Sequence, residues 1–431
     1  MGVGVWAGRA SDHRGACRRH RSSSLLPTTE NGDKVTPITS HDIEILSESV
    51  TGRTESVFAA AQAATTQTAR EVYTGARVLV TGAAGFIGGQ TLRLILDLEP
   101  SLVVLADTWE NGLAERVRHL RSSGAVRPGT RIEPRLVDVT SPLMDRVVAE
   151  EGPFEIVLAF AAAKHVRSER DAASALHMLS VNVNGTFRVI AAAAKQNPAC
   201  RLFMVSTDKA ADPSSLMGAS KRLMERAVYS RFPTATSTRF ANVAFSNGSL
   251  LESWLIRLAN GQVLPVPTQT SRFFVQPSEA GQLCLVSSLA PQGSIVVPAA
   301  GVVEDTLLED ALERVLQRLA LRAEHVDDES KASPSVVPGV VTVLRTPRDT
   351  AGEKAAEVFV SANEQATRWL PALETISGTA ENPDVGDTLA WITDACEGRS
   401  APTLHEIMAR VANAVPEFHH VDSIKRLDDR I

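Results

Sequence analysis

The sequence of 431 residues predicts an α/β protein built around a doubly wound parallel sheet. Short apolar runs, such as Val78–Val80 and Leu102–Ala106, alternate with segments of helical apolar spacing, such as Phe86–Leu98. The connections between them are short, which is typical of right-handed β-α-β units. A glycine-rich turn directly after the first apolar run supports a Rossmann-type sheet.

Six strands and five intervening helices follow from this alternation. The strands are apolar along their whole length, as buried parallel strands are. They are predicted at 78–80, 102–106, 132–137, 156–160, 202–205 and 236–240. The helices are predicted at 86–98, 112–120, 142–150, 173–194 and 218–230.

The same patterns divide the chain into four predicted parts. Residues 1–38 carry Arg, Ser, Thr and Gly without a hydrophobic period, which predicts a disordered tail; a transit peptide and an over-long start site are the alternatives. Residues 39–75 are predicted to form a helical extension, and residues 76–300 the Rossmann domain with the cofactor and catalytic residues. Residues 301–431 are predicted to form a smaller mixed C-terminal lobe that caps the substrate, with helices near 307–321 and 403–414.

Composition excludes several classes of partner. The net charge is −6, so neither nucleic acid nor a membrane surface is an expected partner. Cys17, Cys200, Cys284 and Cys396 are far apart, which argues against a disulfide framework or a metal site and fits a reducing cytoplasm. No apolar stretch reaches the ~18 residues of a membrane helix. We expect a cytoplasmic protein.

A dinucleotide site is predicted where the first strand meets its helix. The segment there reads Thr-Gly-Ala-Ala-Gly-Phe-Ile-Gly. Gly82 would permit the tight turn, Gly85 would let the backbone approach a pyrophosphate, and Gly88 would let the helix pack closely. The first helical residues, Phe86 and Ile87, would present free N–H groups to the phosphates.

Three further positions are predicted to contact the cofactor. Asp107 ends the second strand, where a carboxylate binds an adenosine ribose and repels a 2′-phosphate, which favours NAD over NADP; a solvated strand-end charge is the alternative. Asp138 and Val139 follow the third strand, where adenine would be read, although Asp138 could instead cap the next helix. Ala161 and Ala162 would leave room for the dinucleotide or serve in packing.

Two polar segments occupy positions that suit catalysis. Thr207, Asp208 and Lys209 end the fifth strand, which faces the nicotinamide in this fold, and Met217 and Lys221 begin the next helix. Asp208 and Lys209 could alternatively form a simple ion pair in a loop.

These segments, Thr-Asp-Lys-Ala and Met-Gly-Ala-Ser-Lys-Arg, resemble the nucleotide-sugar 4,6-dehydratases of bacterial polysaccharide and flagellar-glycan biosynthesis. The best-known members are the UDP-N-acetylglucosamine 4,6-dehydratases, which are extended short-chain dehydrogenases. The resemblance covers about 76–360 well and continues more weakly on both sides. Because the membrane-spanning region of many long members is missing, the sequence resembles a soluble version. Further matching segments are 164–166, 182–186, 239–243, 272–274 and 352–354.

The resemblance implies a role for each catalytic residue. Thr207 would bind the C4 oxygen, Asp208 would protonate the leaving hydroxyl, and an uncharged Lys209 would remove the C5 proton. Lys221 would orient the nicotinamide ribose. Met217 stands where the superfamily usually has Tyr, so the acceptor of the C4 hydroxyl proton stays open between Asp208, Lys209 and a water relay.

The resemblance also implies a set of residues that bind the nucleotide-sugar substrate. Arg suits the diphosphate through its fork of donors. The implied residues are Lys164 and His165 near the sugar, Asn242 and Arg272 at the diphosphate, and Glu353 and Lys354 from the C-terminal lobe. Surface charges are the alternative for Arg272, Glu353 and Lys354, and a structural role is the alternative for His165.

Taken together with the predicted NAD site, the resemblance implies a lyase that contains NAD and dehydrates a nucleotide sugar, with UDP-N-acetylglucosamine as substrate, and the fold type leads us to expect a homo-oligomer. The alternatives are a nucleotide-sugar epimerase on the same scaffold and a non-catalytic protein that binds NAD.

Overall fold

The computed structural model describes residues 39–164, 169–347, 354–379 and 385–420. The strands are β1 Arg77–Thr81, β2 Leu102–Asp107, β3 Arg131–Leu136, β4 Ile156–Ala159, β5 Arg201–Thr207, β6 Thr236–Phe240, β7 Asn242–Val243, β8 Leu264–Pro267, β9 Ser271–Val275, β10 Ser294–Pro298, β11 Asp305–Leu307, β12 Arg322–Val326, β13 Val340–Thr346, β14 Ala366–Leu370 and β15 Leu373–Ser377. The helices are α1 Ser40–Thr51, α2 Ala59–Tyr73, α3 Phe86–Leu96, α4 Glu110–Ser122, α5 Pro142–Glu151, α6 Ala172–Leu179, α7 Thr186–Gln196, α8 Leu216–Arg231, α9 Leu250–Ala259, α10 Pro277–Ser288, α11 Leu308–Arg318, α12 Gly386–Cys396 and α13 Leu404–Ala414.

The central sheet confirms the predicted fold class. Its nine strands follow the order β14-β15-β10-β6-β5-β4-β1-β2-β3. The seven strands from β10 to β3 are parallel, with the strand order reversing between β1 and β4. Such a reversal opens a crevice at the carboxyl ends of the strands, where doubly wound proteins bind their ligands.

Helices cover both faces of this sheet, and the strands are correspondingly apolar on both sides. On β1, Leu79 belongs to the core of one face, whereas Val78 and Val80 belong to the core of the other. All three side chains are fully buried. Burial on both faces explains why the strands read as continuous apolar runs.

One predicted helix is interrupted. The segment predicted as a single helix over 173–194 consists of α6 and α7, joined by a π-helical turn at Ser180–Gly185. The side chain of Asn182 within this turn accepts a hydrogen bond from the Ala163 N–H and donates to the Ala163 carbonyl and the Ser220 hydroxyl. These bonds tie the turn to the chain after β4, and turns of this kind occur often at functional sites.

The region between β6 and residue 300 contains elements that the sequence patterns did not reveal. Helix α10 packs against α3 and α2, and ten of its twelve residues are buried. A helix that is buried all round lacks the amphipathic stripe from which helices are recognised. Strand β10 then adds a seventh parallel strand beside β6.

The main sheet extends across the predicted domain boundary at residue 300. Strands β14 and β15, from the C-terminal part, pair antiparallel to each other and to β10. Helices α12 and α13 pack against α6, and α13 also packs against α8. Within the described residues, much of the segment predicted as a capping lobe therefore belongs to the Rossmann unit.

A smaller lobe lies beside this unit and has its own apolar core. Fully buried Trp254 on α9, Leu312 on α11 and Leu264 on β8 belong to that core. The strands β12, β13 and β8 form a three-stranded parallel sheet in it.

The N-terminal extension joins the two units. Helix α1 contributes Leu46 and Val50 to the core of the smaller lobe, whereas α2 packs against α10 of the Rossmann unit. Between these helices, Arg53 forms an ion pair with the buried carboxylate of Glu279, at 2.6 Å. In the described part of the chain, no helix combines the length and apolar character that a membrane span requires.

Candidate active site

A cleft of about 640 Å³ opens where the carboxyl ends of β1, β4, β5 and β6 face the smaller lobe. The predicted site residues that line it are Gly82, Gly85, Phe86, Ile87, Gly88, Ala162, Lys164, Thr207, Lys209, Met217, Lys221, Asn242 and Arg272. Six further predicted residues are described and do not line it: Asp107, Asp138, Val139, Ala161, Asp208 and Lys354. His165 and Glu353 lie outside the described residues.

The glycine turn after β1 is shaped by close backbone contacts. Gly82 has a φ of 67°, and a Cβ at this position would lie 2.6 Å from the backbone nitrogen of Ala161. A Cβ on Gly88 would lie 2.6 Å from the carbonyl oxygen of Gly82, so glycine is needed here for the close approach of α3. Gly85 caps α3 and leaves its first N–H groups directed at the cleft, where they could bind a phosphate.

Asp107 braces this turn from the neighbouring strand. Its Oδ2 accepts a hydrogen bond from the Ala84 N–H at 2.9 Å, and its Oδ1 accepts one from the Trp109 N–H at 2.9 Å. Arg116 on α4 adds hydrogen bonds to the carbonyl oxygens of Ala84 and Gly85. The turn is thus held by the Asp107 carboxylate, which accepts one of its N–H groups, and by the Arg116 guanidinium, which donates to two of its carbonyl oxygens.

The residues predicted to read adenine have local partners. Asp138 Oδ1 accepts hydrogen bonds from the backbone and hydroxyl of Thr140, both at 2.8 Å, while Ser141 caps α5. Val139 is buried against Gly185 in the π-helical turn. Both residues help to place the end of β3 and neither lines the cleft.

The segment predicted to be catalytic, residues 207–209, forms a compact hydrogen-bonded unit at the end of β5. Asp208 is fully buried in a short 3-10 turn, and its Oδ1 accepts hydrogen bonds from the Thr207 hydroxyl at 2.8 Å and the Lys209 ammonium at 3.1 Å. Its Oδ2 is buried and receives no hydrogen bond from any described residue. Thr207 and Lys209 face the cleft above this carboxylate.

Lys221 is the buried amine of the site. It lies on α8, its Nζ donates to the Val205 carbonyl at 3.0 Å, and its side chain reaches the cleft. Burial lowers the pKa of Lys221 to about 8, an effect that the nearby Glu225 carboxylate opposes. Met217, one turn earlier, lines the cleft, and its backbone N–H donates to Glu169.

The residues predicted to bind the substrate differ in the contacts that they already make within the protein. Lys164 lines the cleft, and burial lowers its pKa against the opposing charge of Glu252. Asn242 donates to the Phe273 carbonyl at 3.2 Å. Arg272 donates to the Lys354 carbonyl at 2.9 Å, which links the cleft wall to the C-terminal part of the chain.

A loop that sequence reasoning missed completes the lining. Residues 246–249 line the cleft immediately before α9. The Ser249 hydroxyl accepts the N–H of Glu252, and the Glu252 carboxylate accepts the N–H of Gly248. The Ser-x-x-Glu spacing at 249–252 is a capping-box signal that could have revealed this helix start.

Behind the cleft, a buried charge network contacts β5, the strand that precedes the predicted catalytic residues. The Ser206 hydroxyl donates to Glu225 at 2.5 Å, and Glu225 pairs with the fully buried Arg239 at 2.8 Å. Arg239 pairs with Glu364 at 2.6 Å. The network joins β5, β6, α8 and the C-terminal part of the chain. It anchors Ser206, the residue directly before Thr207.

Chemically, this arrangement offers a hydroxyl and two amines to the cleft, with the Asp208 carboxyl buried directly behind them, and the glycine turn lines the same cleft. Such a set can bind a dinucleotide and move protons at a second ligand. In the described part of the chain, no group of three or more His, Cys, Asp and Glu side chains could hold a metal ion.

Three curated relatives share part of this chain. A capsular polysaccharide biosynthesis protein, CapD, of Staphylococcus aureus is 29% identical over 52% of this chain and 37% of its own length. A dTDP-glucose 4,6-dehydratase of Neisseria meningitidis is 30% identical over 42% of this chain and 49% of its own. A UDP-glucose 4-epimerase of Rickettsia rickettsii is 29% identical over 32% and 43%. The aligned regions thus span less than half of each of these relatives.

A solved structure shares the fold. Pen from Bacillus thuringiensis superposes with a TM-score of 0.59 and 22% identity, over 72% of this chain and 89% of that chain. The model of the polysaccharide biosynthesis protein family matches residues 78–369, which include the glycine turn, residues 207–209 and β14 as far as Trp369. The chain therefore belongs to the polysaccharide biosynthesis protein family.

Proposed function

We propose that this chain is a nucleotide-sugar 4,6-dehydratase that contains NAD and acts on UDP-N-acetylglucosamine. The observation that carries the proposal is the hydrogen-bonded unit of Thr207, Asp208 and Lys209 at a cleft whose other end is a glycine turn. The relatives with named activities include a dehydratase of this type. The product would be a 4-keto-6-deoxy sugar.

The glycine turn supports NAD as the cofactor. Gly82, Gly85 and Gly88 would leave room for a pyrophosphate at the start of α3, and the Asp107 carboxylate, bonded to the Ala84 N–H of the turn, would repel a 2′-phosphate. Bound NAD would take the hydride from C4 and return it at C6. The Lys221 amine reaches the same cleft and would hydrogen-bond the nicotinamide ribose.

The elimination needs one base and one acid on adjacent positions of the sugar. Lys209 Nζ would take the C5 proton while the electrons of the C5–H bond form a double bond to C6. The C6–O bond breaks, and Asp208 gives its proton to the leaving hydroxyl, which departs as water. The Thr207 hydroxyl would bind the C4 oxygen throughout.

The contact between Asp208 and Lys209 accounts for the protons of this step. An ion pair and a neutral pair contain the same number of protons, so one transfer across 3.1 Å converts the resting ammonium and carboxylate into an amine and an acid. The buried Oδ2 of Asp208, which receives no hydrogen bond from described residues, can carry the proton. Elimination then restores the ion pair, and the Lys209 ammonium would return a proton to C5 when the hydride is delivered to C6.

An epimerase on the same scaffold is the second candidate, favoured by the relative that bears this name. It would return the hydride to C4 and would need no acid at C6. The Asp208–Lys209 pair serves elimination better, because epimerisation at C4 has no leaving group to protonate.

Product mass separates the candidates. The purified chain is incubated with UDP-N-acetylglucosamine and NAD, and the products are analysed by mass spectrometry and NMR. A loss of about 18 mass units, the mass of water, supports the dehydratase. An isomer of unchanged mass supports the epimerase. Failure to convert any of a panel of UDP, dTDP and GDP sugars, with NAD still bound, overturns both and leaves a non-catalytic NAD-binding protein.

A further inference from the structure

A buried carboxylate that no sequence pattern singled out lies beside the catalytic lysine. Glu357 is 3% exposed, and its Oε1 lies 3.8 Å from the Nζ of Lys209. Its Oε2 lies 3.2 Å from the Nζ of Lys354. Glu357 therefore stands between two lysines, one from the catalytic segment and one from the C-terminal part of the chain.

The segment that carries Glu357 is attached to the site at two other points. The ammonium of Lys354 contacts the Asp212 carboxylate at 3.1 Å, two residues beyond the catalytic turn. The carbonyl oxygen of Lys354 accepts a hydrogen bond from Arg272, which lines the cleft. These contacts hold residues 354–357 against both the catalytic turn and the cleft wall.

We propose that Glu357 is a positioning residue for Lys209, an inference that rests on the proposed dehydration. A lysine side chain has four rotatable bonds, and immobilising it costs conformational entropy. Asp208 is the neighbour of Lys209 in the chain, so it moves with the Lys209 backbone and cannot fix the amine relative to the rest of the cleft. Glu357 comes from another part of the fold, so it fixes the amine relative to the cleft.

Glu357 would also stabilise the positive charge on Lys209 at a stage when Asp208 is neutral and cannot do so. At the start of elimination Asp208 carries the proton for the leaving hydroxyl and is neutral. Among the described partners of Lys209, Glu357 is then the remaining carboxylate. As Lys209 accepts the C5 proton, the new ammonium forms within reach of this charge, which stabilises it.

The test compares substitutions of the buried Glu357 with a substitution of the half-buried Glu417. Glu357→Gln keeps the shape and removes the charge, and Glu357→Asp keeps the charge. Glu417→Gln is the matched control, because Glu417 pairs with Arg226 at 2.7 Å and contacts neither Lys209 nor the cleft. All variants are examined with full-length protein, and thermal unfolding is measured alongside.

Two steps are followed separately with UDP-N-acetylglucosamine: transient reduction of NAD, which reports oxidation at C4, and water elimination with deuterium uptake from heavy water. We expect Glu357→Gln to slow elimination at least about tenfold while KM and the rate of NAD reduction change less than about twofold. Glu357→Asp should recover part of the rate, and Glu417→Gln should retain it. Elimination at the wild-type rate in Glu357→Gln, or equal slowing of both steps, would overturn the inference.

A second measurement tests the ion pair between Lys209 and Glu357 without requiring catalytic turnover. Lysines are reductively methylated with isotope-labelled formaldehyde and a borohydride reductant, and the NMR signal of Lys209 is assigned from its loss in Lys209→Arg. A shift of this signal in Glu357→Gln but not in Glu417→Gln supports the ion pair, and an unchanged signal refutes it. If wild type dehydrates no nucleotide sugar, the proposed function fails together with the role at C5, whereas the NMR result still establishes or removes the pairing.

Discussion

The carboxylate of Asp107 accepts the backbone N–H of Ala84 across 2.9 Å, and so ties the end of β2 to the glycine turn after β1. The other carboxylate oxygen accepts the N–H of Trp109. Each oxygen retains a second lone pair, so a ribose hydroxyl can still donate to this side chain. Asp107 thus combines a structural contact with the ribose-binding role predicted for it.

Replacement of Asp107 should weaken NAD binding through both roles. Asp107→Ala leaves two backbone N–H groups without their charged acceptor, and hydrogen bonds of this kind are worth about 1.5–3 kcal/mol. We expect the Kd for NAD, measured by calorimetry, to rise about 10- to 100-fold. Asp107→Asn keeps one acceptor oxygen and loses the charge and the second acceptor, so it should lose less NAD affinity than Asp107→Ala and discriminate less against NADP. An unchanged Kd in Asp107→Ala would contradict this assignment.

Lys209 is expected to be the base, and arginine is its most informative replacement. Lys209→Arg retains a cation for Asp208 and Glu357, so folding and NAD affinity should stay close to wild type. A guanidinium cannot lose its proton under these conditions, so kcat for dehydration should fall about 10²- to 10⁴-fold. Lys209→Ala should be equally inactive and less stable, because it removes the ion-pair partner of the buried Asp208 and leaves Glu357 with Lys354 alone. Substantial turnover by Lys209→Arg would remove Lys209 as the base.

The lowered pKa of Lys221 predicts a pH dependence of cofactor binding. Burial lowers this pKa from 10.5 to about 8, so the amine is charged below about pH 8 and neutral above it. If the charged form binds NAD, affinity should be constant below about pH 8 and fall by up to about tenfold per pH unit above it. Lys221→Arg stays charged and should show a flat profile to about pH 10. The opposite trend, tighter binding at high pH, would contradict the role assigned to Lys221.

The same shift has a defined sign for stability. Because the pKa is lower in the folded chain, the unfolded chain binds the proton more strongly between about pH 8 and 10.5. The burial of Lys221 therefore destabilises the fold at neutral pH, and this effect fades as the pH rises through that window.

The parallel part of the fold was predictable because its signals are local. Strands such as Leu102–Asp107 are continuous apolar runs, and the glycine turn marks the first crossover. The antiparallel pair β14–β15 was not predicted, because its partner β10 is far away in the sequence. Ala366–Leu370 contains Arg368 at its centre and lies at the sheet edge, where polar residues are tolerated and the apolar signal is weak.

The site was predictable where side chains follow a strand end, and missed where distant segments contribute. Thr207, Lys209 and Lys221 are close to elements with clear patterns, and the structure brings them to one cleft. Glu357 gave no such signal, because nothing local to it indicates that it is buried beside Lys209. Glu357 reaches this place because the C-terminal part of the chain returns to the main sheet through β14 and β15.

Gly88 should be irreplaceable for cofactor binding. In Gly88→Ala the new Cβ would lie 2.6 Å from the Gly82 carbonyl oxygen, so α3 must move away from the turn that it supports. We expect a stability loss of about 1–3 kcal/mol together with a clear rise in the Kd for NAD. Gly124→Ala is the control, since Gly124 has a φ of 71° and open space around it. It should lower stability by about 1–2 kcal/mol and leave the Kd unchanged. Equal NAD affinity in both variants would disprove the steric argument.

The buried network behind β5 predicts how stability responds to acid. Burial tends to raise the pKa of Glu364, but the hydrogen bond and charge of Arg239, with Arg222, outweigh it and lower the pKa to about 2. The unfolded carboxyl titrates near its ordinary 4.5, so the stabilisation is fully present above about pH 4.5 and is lost as the pH falls towards 2.

This stabilisation should be measurable by comparing urea unfolding of wild type and Glu364→Gln. At neutral pH the variant should be less stable by about 3 kcal/mol, because Arg239 keeps one carboxylate partner instead of two. The difference should shrink below about pH 4.5, where wild type begins to lose the same interaction. The exposed pair of Glu115 with Arg118 provides the control, and Glu115→Gln should change stability by less than about 1 kcal/mol at any pH. A difference between wild type and Glu364→Gln that stays constant into acid would show that Glu364 acts through packing and not through its charge.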